Sequence, residues 1–307
     1  MKVCRGDLGG VVMEIKNVVV AGAGVLGSQI AFQAARCGFK VKIWNRHIDR
    51  AQRRLAAIKS QFEKDMNATD GDYDSAMDNI VDISNDMAKT VADADLVIES
   101  VSESVEIKKD FYEKVCPLLP EKCILTSNSS TFVPSELVGF TDRPERFAHM
   151  HFSNHIWKHN VAEIVGNSKT DPEVINDLVA FARQIKMVPV VLKKEQHGYI
   201  MNALLVPLLN AAMALWANGV ADPHTIDKDW MIANGSPLGP FMIQDIVGLR
   251  TTYAVVSNQY QQTGQEIFKK IADKLKPMID AGHTGVESGQ GFYHYPDAEF
   301  KDPNFFK

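Results

Sequence analysis

Imidazole is the side chain best matched to proton transfer near neutral pH, and it is also the commonest transition-metal ligand. Residues 149–159, HMHFSNHIWKH, hold four of the nine histidines of this 307-residue chain, and both chemistries compete for them. A metal centre needs three or four converging ligands. His149 and His151 lie two apart, on one face of a strand, but His155 and His159 fall in the loop beyond, with no HxxxH helix or cysteine pair to complete a tetrahedral site. The four cysteines, Cys4, Cys37, Cys116 and Cys123, have no metal-ligand spacing either. No metal is expected, and acid–base chemistry is the stronger reading.

A second constellation handles phosphate. In VVVAGAGVLGSQIAFQAA (18–35), Gly22, Gly24 and Gly27 follow the G-x-G-x-x-G order directly after a strand pattern and directly before a helix pattern. The three glycines then allow, in turn, a tight turn, close approach of a pyrophosphate to the backbone, and close packing of helix on sheet, with phosphates at the helix N-terminus. Gly22, Gly24, Val25, Leu26 and Gly27 are the expected contacts. The fingerprint also asks for an acidic residue at the end of the second strand, where this chain has Asn45 followed by Arg46. A carboxylate would repel a 2′-phosphate, whereas an amide followed by a guanidinium can bind one, which favours NADP(H). The alternative is that Asn45 serves the ribose diol of NAD(H) as a neutral partner and Arg46 is solvated.

These groups need elements to hold them. Short β-branched runs at 17–22, 40–44, 95–100, 123–128 and 188–192 alternate with helical patterns such as 25–37 and 105–116, the signature of βαβ units and a parallel sheet. The segment 48–89 reads as a helical excursion broken around NATDGDYD (67–74). After Gly198 the pattern becomes long and helical, in 198–219, 222–235 and 239–248. The expected fold class is α/β: a Rossmann-type, doubly wound, mostly parallel sheet followed by an all-helical C-terminal domain. The expected divisions are 1–14 as an N-terminal extension, 15–197 as the dinucleotide-binding domain and 198–307 as the helical domain, with the boundary in KKEQHG (193–198).

Bulk properties limit the partners. A net charge of −5, with 45% hydrophobic and 23% charged residues, argues against nucleic acid and points to a small molecule. The most apolar run, 203–217, is interrupted by Pro207 and Asn210, falls short of the ~20 residues that span a bilayer, and reads as a buried helix. No secretory leader is apparent, so a reducing cytoplasm is the plain expectation for the cysteines.

The segments VIESVSESVEIKKDFYEKV (97–115), ILTSNSSTFVPSEL (124–137), RPERFAHMHFSN (143–154), GYIMNALLVPLLNAA (198–212), VADPHTIDKDW (220–230), PLGPFMIQDIVGL (237–249) and GQGFYHY (289–295) make the chain resemble, in order from about 15 to 295, the L-3-hydroxyacyl-CoA dehydrogenase family. Within it the likeness is nearest to the diketoreductase-like branch, through NSST, PSEL and HF-x-NH-x-W. The resemblance implies hydride transfer at the third carbon of a substrate, with His151 as catalytic base, Glu163 as its orienting carboxylate, and Ser130 and Asn202 binding the substrate oxygen. FAHMHF and VAEIVG are two strand-like runs joined by a polar loop, so facing strands can bring His151 and Glu163 together. Glu103, Lys108, Asn128 and Asn154 are the further cofactor contacts it implies; for Glu103 and Lys108 the alternative is an ordinary charged helix start. A homodimer through the helical domain is also implied.

Three departures bear on the substrate. The chain follows Asn154 with His155 where the family has proline, lacks a lysine before Gly289, and has EKDMN (63–67) rather than a basic cluster where the family places lysines near CoA phosphates. The substrate is therefore either a 3-hydroxyacyl-CoA or a smaller β-hydroxy or β-keto acid or diketo ester. His149 is expected to support its neighbour, and His155 and His159 to line the substrate pocket. A nucleotide-binding protein without catalysis is the remaining alternative, and the joint presence of Ser130, His151, Glu163 and Asn202 argues against it.

Overall fold

The computed structural model describes residues 13–66 and 70–306, so the expected N-terminal extension, with Cys4, lies almost entirely outside them. The chain divides into two compact units, which meet in sequence between Ile200 and Met201. Among the described residues of the first unit, β1 (Asn17–Ala21), β2 (Lys40–Trp44), β3 (Ile80–Ser84), β4 (Leu96–Glu99), β5 (Ile124–Ser127), β6 (Phe147–Phe152), β7 (Val161–Gly166) and β8 (Val188–Val191) form one sheet in the order β3-β2-β1-β4-β5-β6-β7-β8. Strands β3 to β6 run parallel, β7 returns antiparallel to β6, and β8 follows β7 in parallel.

The pattern of side chains explains the layering. Central strands such as VVV of β1 and LVI of β4 are apolar on both faces and fully buried, as a sheet covered by helices on each side requires. On one face α1 (Val25–Arg36), α2 (Ile48–Met66), α3 (Asp70–Met77) and α7 (Pro172–Gln184) enclose a core holding Ile30, Phe32, Phe62 and Phe181. On the other, α4 (Met87–Val91), α5 (Val105–Val115) and α6 (Pro134–Leu137) enclose Val91, Phe111, Tyr112 and Leu137. Strand β8 contains Pro189, which lacks a ladder N–H and sits at the sheet's edge, where it costs least.

Two expectations are corrected here. The segment 48–89 is not wholly helical: Ile80–Ser84 is a parallel edge strand on β2, only partly buried. Its five residues lie among helices in a polar stretch, too short for a period-two pattern to stand out. In the second unit, α8 (Met201–Ala217) runs through Pro207 but buries only Leu209, Ala212 and Met213, leaving Leu204 70% exposed. An apolar helix in a unit of this size has more apolar faces than neighbours to cover them. That unit continues with α9 (Pro223–Asn234), α10 (Pro240–Val247), α11 (Leu249–Thr263) and α12 (Glu266–Asp280). No helix among the described residues is long and apolar enough to cross a membrane.

Candidate active site

Because β1, β2, β4, β5 and β6 are parallel, the loops that leave their C-terminal ends share one edge of the sheet. The chain order reverses direction between β1 and β4, and ligands bind open α/β sheets at such a crevice. Around it stand the glycine loop after β1, Asn45–Arg50 after β2, Ser100–Glu103 after β4, Asn128–Thr131 after β5, and His151 at the end of β6.

The glycine loop fits a dinucleotide. A Cβ on Gly22, at φ +101°, would stand 2.4 Å from the Ser100 carbonyl oxygen, and one on Gly27 would stand 1.9 Å from the Gly22 oxygen. Those two glycines are required by the protein itself. Gly24 is different: a Cβ there would meet nothing within 4 Å, so its lack of a side chain opens space toward a ligand at the N-terminus of α1, whose first turn carries no acidic residue. Val25, exposed at the start of α1, borders the same space, whereas Leu26 packs against the core. Asn45 is tied into the loop, accepting from the Ala23 N–H at 3.0 Å and donating to the His47 carbonyl at 2.7 Å. Its amide therefore shapes the loop, and Arg46 is the freer of the pair. Arg50, in the first turn of α2, lines the same pocket with Arg46 and His47. Sequence reasoning passed over Arg50, although a further arginine four residues beyond Arg46 was the available signal.

The histidine–carboxylate pair is built on two facing strands. His151 and Glu163 are register partners across β6 and β7, only 6% and 3% exposed, with His151 Nδ1 2.9 Å from Glu163 Oε2. A carboxylate only accepts, so Nδ1 carries the proton and Nε2 presents its lone pair. Ser130 Oγ lies 3.1 Å from that Nε2 and donates to it. The second Glu163 oxygen accepts the Ile200 N–H at 2.9 Å. His149 is fully buried, its Nδ1 2.9 Å from the Tyr199 hydroxyl. Burial, aided by the nearby Lys108 charge, lowers His149 to about 3, so it stays neutral.

Glu103 and Lys108 take other parts than expected. Glu103 accepts from Ser129 Oγ at 2.5 Å, from the Ser130 and Thr131 N–H groups at 2.9 and 3.0 Å, and from Thr131 Oγ1 at 2.8 Å. It thus clamps the loop that carries Ser130. Burial pushes Glu103 up, but Lys108 and these donors outweigh it and bring it down to about 2. Lys108 is 1% exposed, its ammonium held by Glu99 at 2.8 Å and Glu103 at 3.1 Å. A buried cation between two carboxylates has no free reach to a ribose, so the expected Lys108 contact is corrected to an internal counter-ion. Glu99 also receives the Tyr112 and Ser127 hydroxyls at 2.7 Å each.

Asn128 is engaged too, accepting the Phe152 N–H at 3.0 Å, while Asn154 accepts from Gln29 Nε2 at 2.9 Å. His155, expected in a substrate pocket, is instead bound to α2: its Nδ1 lies 2.6 Å from Asp65 and its Nε2 2.9 Å from Gln61, and Trp157 donates to the same Asp65 at 3.0 Å. The stretch after β6 is therefore docked on α2, and His159 stays exposed beside it. Asn202 lies in the first turn of α8, in the second unit. Among the described residues no three His, Cys, Asp or Glu side chains converge as metal ligands.

Tyr199 is a site residue that sequence reasoning missed. Its ring stacks on the His151 imidazole, centroids 4.4 Å apart and planes 3° from parallel. Its backbone, at φ +54°, is in the left-handed region that disfavours non-glycine residues by about 1 kcal/mol or more.

Two family models match the chain: the 3-hydroxyacyl-CoA dehydrogenase NAD binding domain over residues 17–196, and the 3-hydroxyacyl-CoA dehydrogenase C-terminal domain over 198–295. A probable 3-hydroxybutyryl-CoA dehydrogenase of Bacillus subtilis is 30% identical over 93% of this chain and 99% of its own. The human mitochondrial hydroxyacyl-coenzyme A dehydrogenase is 29% identical over 92% of this chain and 91% of its own. Among solved structures, a diketoreductase acting on dicarbonyl compounds is 47% identical with a TM-score of 0.87, covering 92% of this chain and 100% of that one.

Proposed function

This chain belongs to the 3-hydroxyacyl-CoA dehydrogenase family, and from that premise we propose an NAD(P)-dependent oxidoreductase that interconverts a 3-hydroxyacyl and a 3-ketoacyl substrate. The observation that carries the proposal is the hydrogen-bonded series Ser130–His151–Glu163 at the sheet edge that also bears the glycine loop. In oxidation the His151 Nε2 lone pair takes the proton of the 3-hydroxyl, and in reduction the imidazolium returns it. Glu163 holds the tautomer and balances the positive charge that His151 acquires. Ser130 steadies the substrate oxygen as negative charge develops there; the same role for Asn202 rests on the family resemblance alone. When bound, the nicotinamide accepts or returns the hydride at C4.

A second reading, reduction of a non-CoA β-keto acid or diketo ester, is favoured by one observation: identity to the diketoreductase is 47%, against 30% to the Bacillus subtilis relative. For the cofactor, exposed Arg46 and Arg50, neither paired with a carboxylate among the described residues, support binding of a 2′-phosphate and hence NADP(H). The apolar side chains that α8 leaves exposed, Leu204 and Leu215, support a homodimer through the second unit, and the free Cys37, Cys116 and Cys123 support a reducing, cytoplasmic setting.

The test is turnover with acetoacetyl-CoA and, separately, with a free β-keto acid and a diketo ester, each followed by NADH and NADPH oxidation. Turnover with acetoacetyl-CoA is expected, with NADPH preferred and that preference cut about tenfold or more in Arg46→Ala/Arg50→Ala, the loss of roughly one charge-assisted phosphate contact. No turnover with any substrate would overturn the oxidoreductase reading, and NADH preference would overturn the assignment of the two arginines.

A further inference from the structure

We propose that Tyr199 is the positioning residue of the acid–base group, its ring fixing the plane of the His151 imidazole and its hydroxyl tying that plane to the backbone of the Ser130 loop. The proposal rests on the reading of His151 as the proton-transfer residue. His149 and His151 point to the same side of β6, and Tyr199 lies against both. With His151 the rings are parallel; with His149 they are tilted by 40° at 6.5 Å. The tyrosine hydroxyl has one proton, which it donates to the Ser129 carbonyl at 2.6 Å, so it accepts from His149 Nδ1–H at 2.9 Å. The hydroxyl therefore joins the catalytic strand to the residue next to Ser130.

Ile200 closes the arrangement. Its N–H donates to Glu163 Oε1 while Oε2 takes His151 Nδ1, so two consecutive residues hold both members of the pair. Glu163 fixes where the imidazole edge points, and the Tyr199 face stops the ring from tilting about that hydrogen bond. The left-handed backbone at Tyr199, directly after Gly198 at φ +77°, is what turns the ring onto His151. A non-glycine residue is retained in that conformation where its side chain makes three contacts with the proton-transfer apparatus: a stack and two hydrogen bonds. Tyr199→Phe keeps the stack and leaves the His149 Nδ1–H and the Ser129 carbonyl buried without this partner.

The two contributions separate experimentally. Tyr199→Phe is expected to lower kcat about tenfold with both KM values changed less than about twofold, and Tyr199→Leu to lower it about a hundredfold. If the hydroxyl acts by placing Ser130, then Tyr199→Phe costs less than about twofold more in a Ser130→Ala background. Unchanged kcat in Tyr199→Phe, or the same tenfold loss in both backgrounds, overturns the proposal. A readout that needs no substrate is the crystal structure of Tyr199→Leu. Its His151 ring is expected to keep the Nδ1–Glu163 hydrogen bond but to leave the wild-type plane or to spread over more than one plane; a His151 ring in its wild-type plane in that variant overturns the proposal even if no substrate is turned over. Failure of the functional reading is seen separately, as a wild-type protein without turnover.

Discussion

Both units hold carboxylates in dense hydrogen-bond networks, and the partners they choose divide chemistry from construction. In the first unit Glu99, Glu103 and Glu163 face groups that carry or can acquire positive charge, Lys108 and His151. In the second, Asp227 and Asp245, 0% and 1% exposed, take their hydrogen bonds from neutral donors; His224 lies near Asp227 but its ring bonds the Phe292 carbonyl. Asp227 accepts the Phe241 and Met242 N–H groups at the start of α10 and the Tyr293 hydroxyl, at 2.8–3.0 Å. Asp245 accepts the Phe292 and Tyr293 N–H groups and the Tyr295 hydroxyl. Burial raises both aspartates, although these donors pull the other way. Two glycines make room for these aspartates: a Cβ on Gly291 would stand 2.0 Å from Asp245 Oδ1 and one on Gly239 2.2 Å from Asp227 Cγ. A carboxylate beside a proton carrier can help move charge. One enclosed by amides and phenols can only hold chain segments together.

The largest expected effect tests the chemical side of this contrast. His151→Ala should lower kcat by about 10³-fold, the usual worth of a positioned general base, with the melting temperature little changed; full kcat in that variant would remove His151 from its role. The structural side is tested by Asp227→Ala, which leaves three buried donors without their acceptor and should cost about 3 kcal/mol in a denaturant melt. If that variant instead melts like wild type and loses turnover, the second cluster is chemical and the comparison collapses.

The finest test is acid. Glu103 is lowered, so its stabilising clamp is complete above the ordinary glutamate range near 4.5 and is lost as pH falls towards about 2. Asp227 and Asp245 are raised, so their contribution to stability is greatest below the usual aspartate value of about 3.9 and declines as pH rises through their elevated range. Taking the protein from pH 6 to pH 3 should therefore reduce the amide exchange protection of Ser130 and Thr131 while that of Phe241, Met242, Phe292 and Tyr293 holds or rises. Parallel loss in both sets would mean that the two clusters do not differ in the way their partners suggest.

Much of the first unit could be read from local pattern. The glycine loop between strand and helix, the short β-branched runs and the two strands facing each other across HFSNHIWKHN are short-range features, and they carry both the fold class and the pairing of His151 with Glu163. What escaped depended on partners far along the chain. β3 is recognisable as a strand only because β2 lies beside it. Lys108 looks like a surface lysine on a helix start until Glu99, nine residues earlier on β4, is placed beneath it. His155 looks free until Asp65, 90 residues away, binds it.

Sequence by itself determined that a dinucleotide loop and a histidine–carboxylate strand pair belong to one α/β chain, because glycine spacing and strand alternation encode backbone geometry directly. Tertiary structure alone decided that His151 also meets a stacked tyrosine, that His149 is buried neutral and that His155 is fastened to α2. The physical reason is that an imidazole's protonation and orientation are set by the groups within hydrogen-bond reach of its two nitrogens, and those groups come from strands and turns that only the folded sheet brings together.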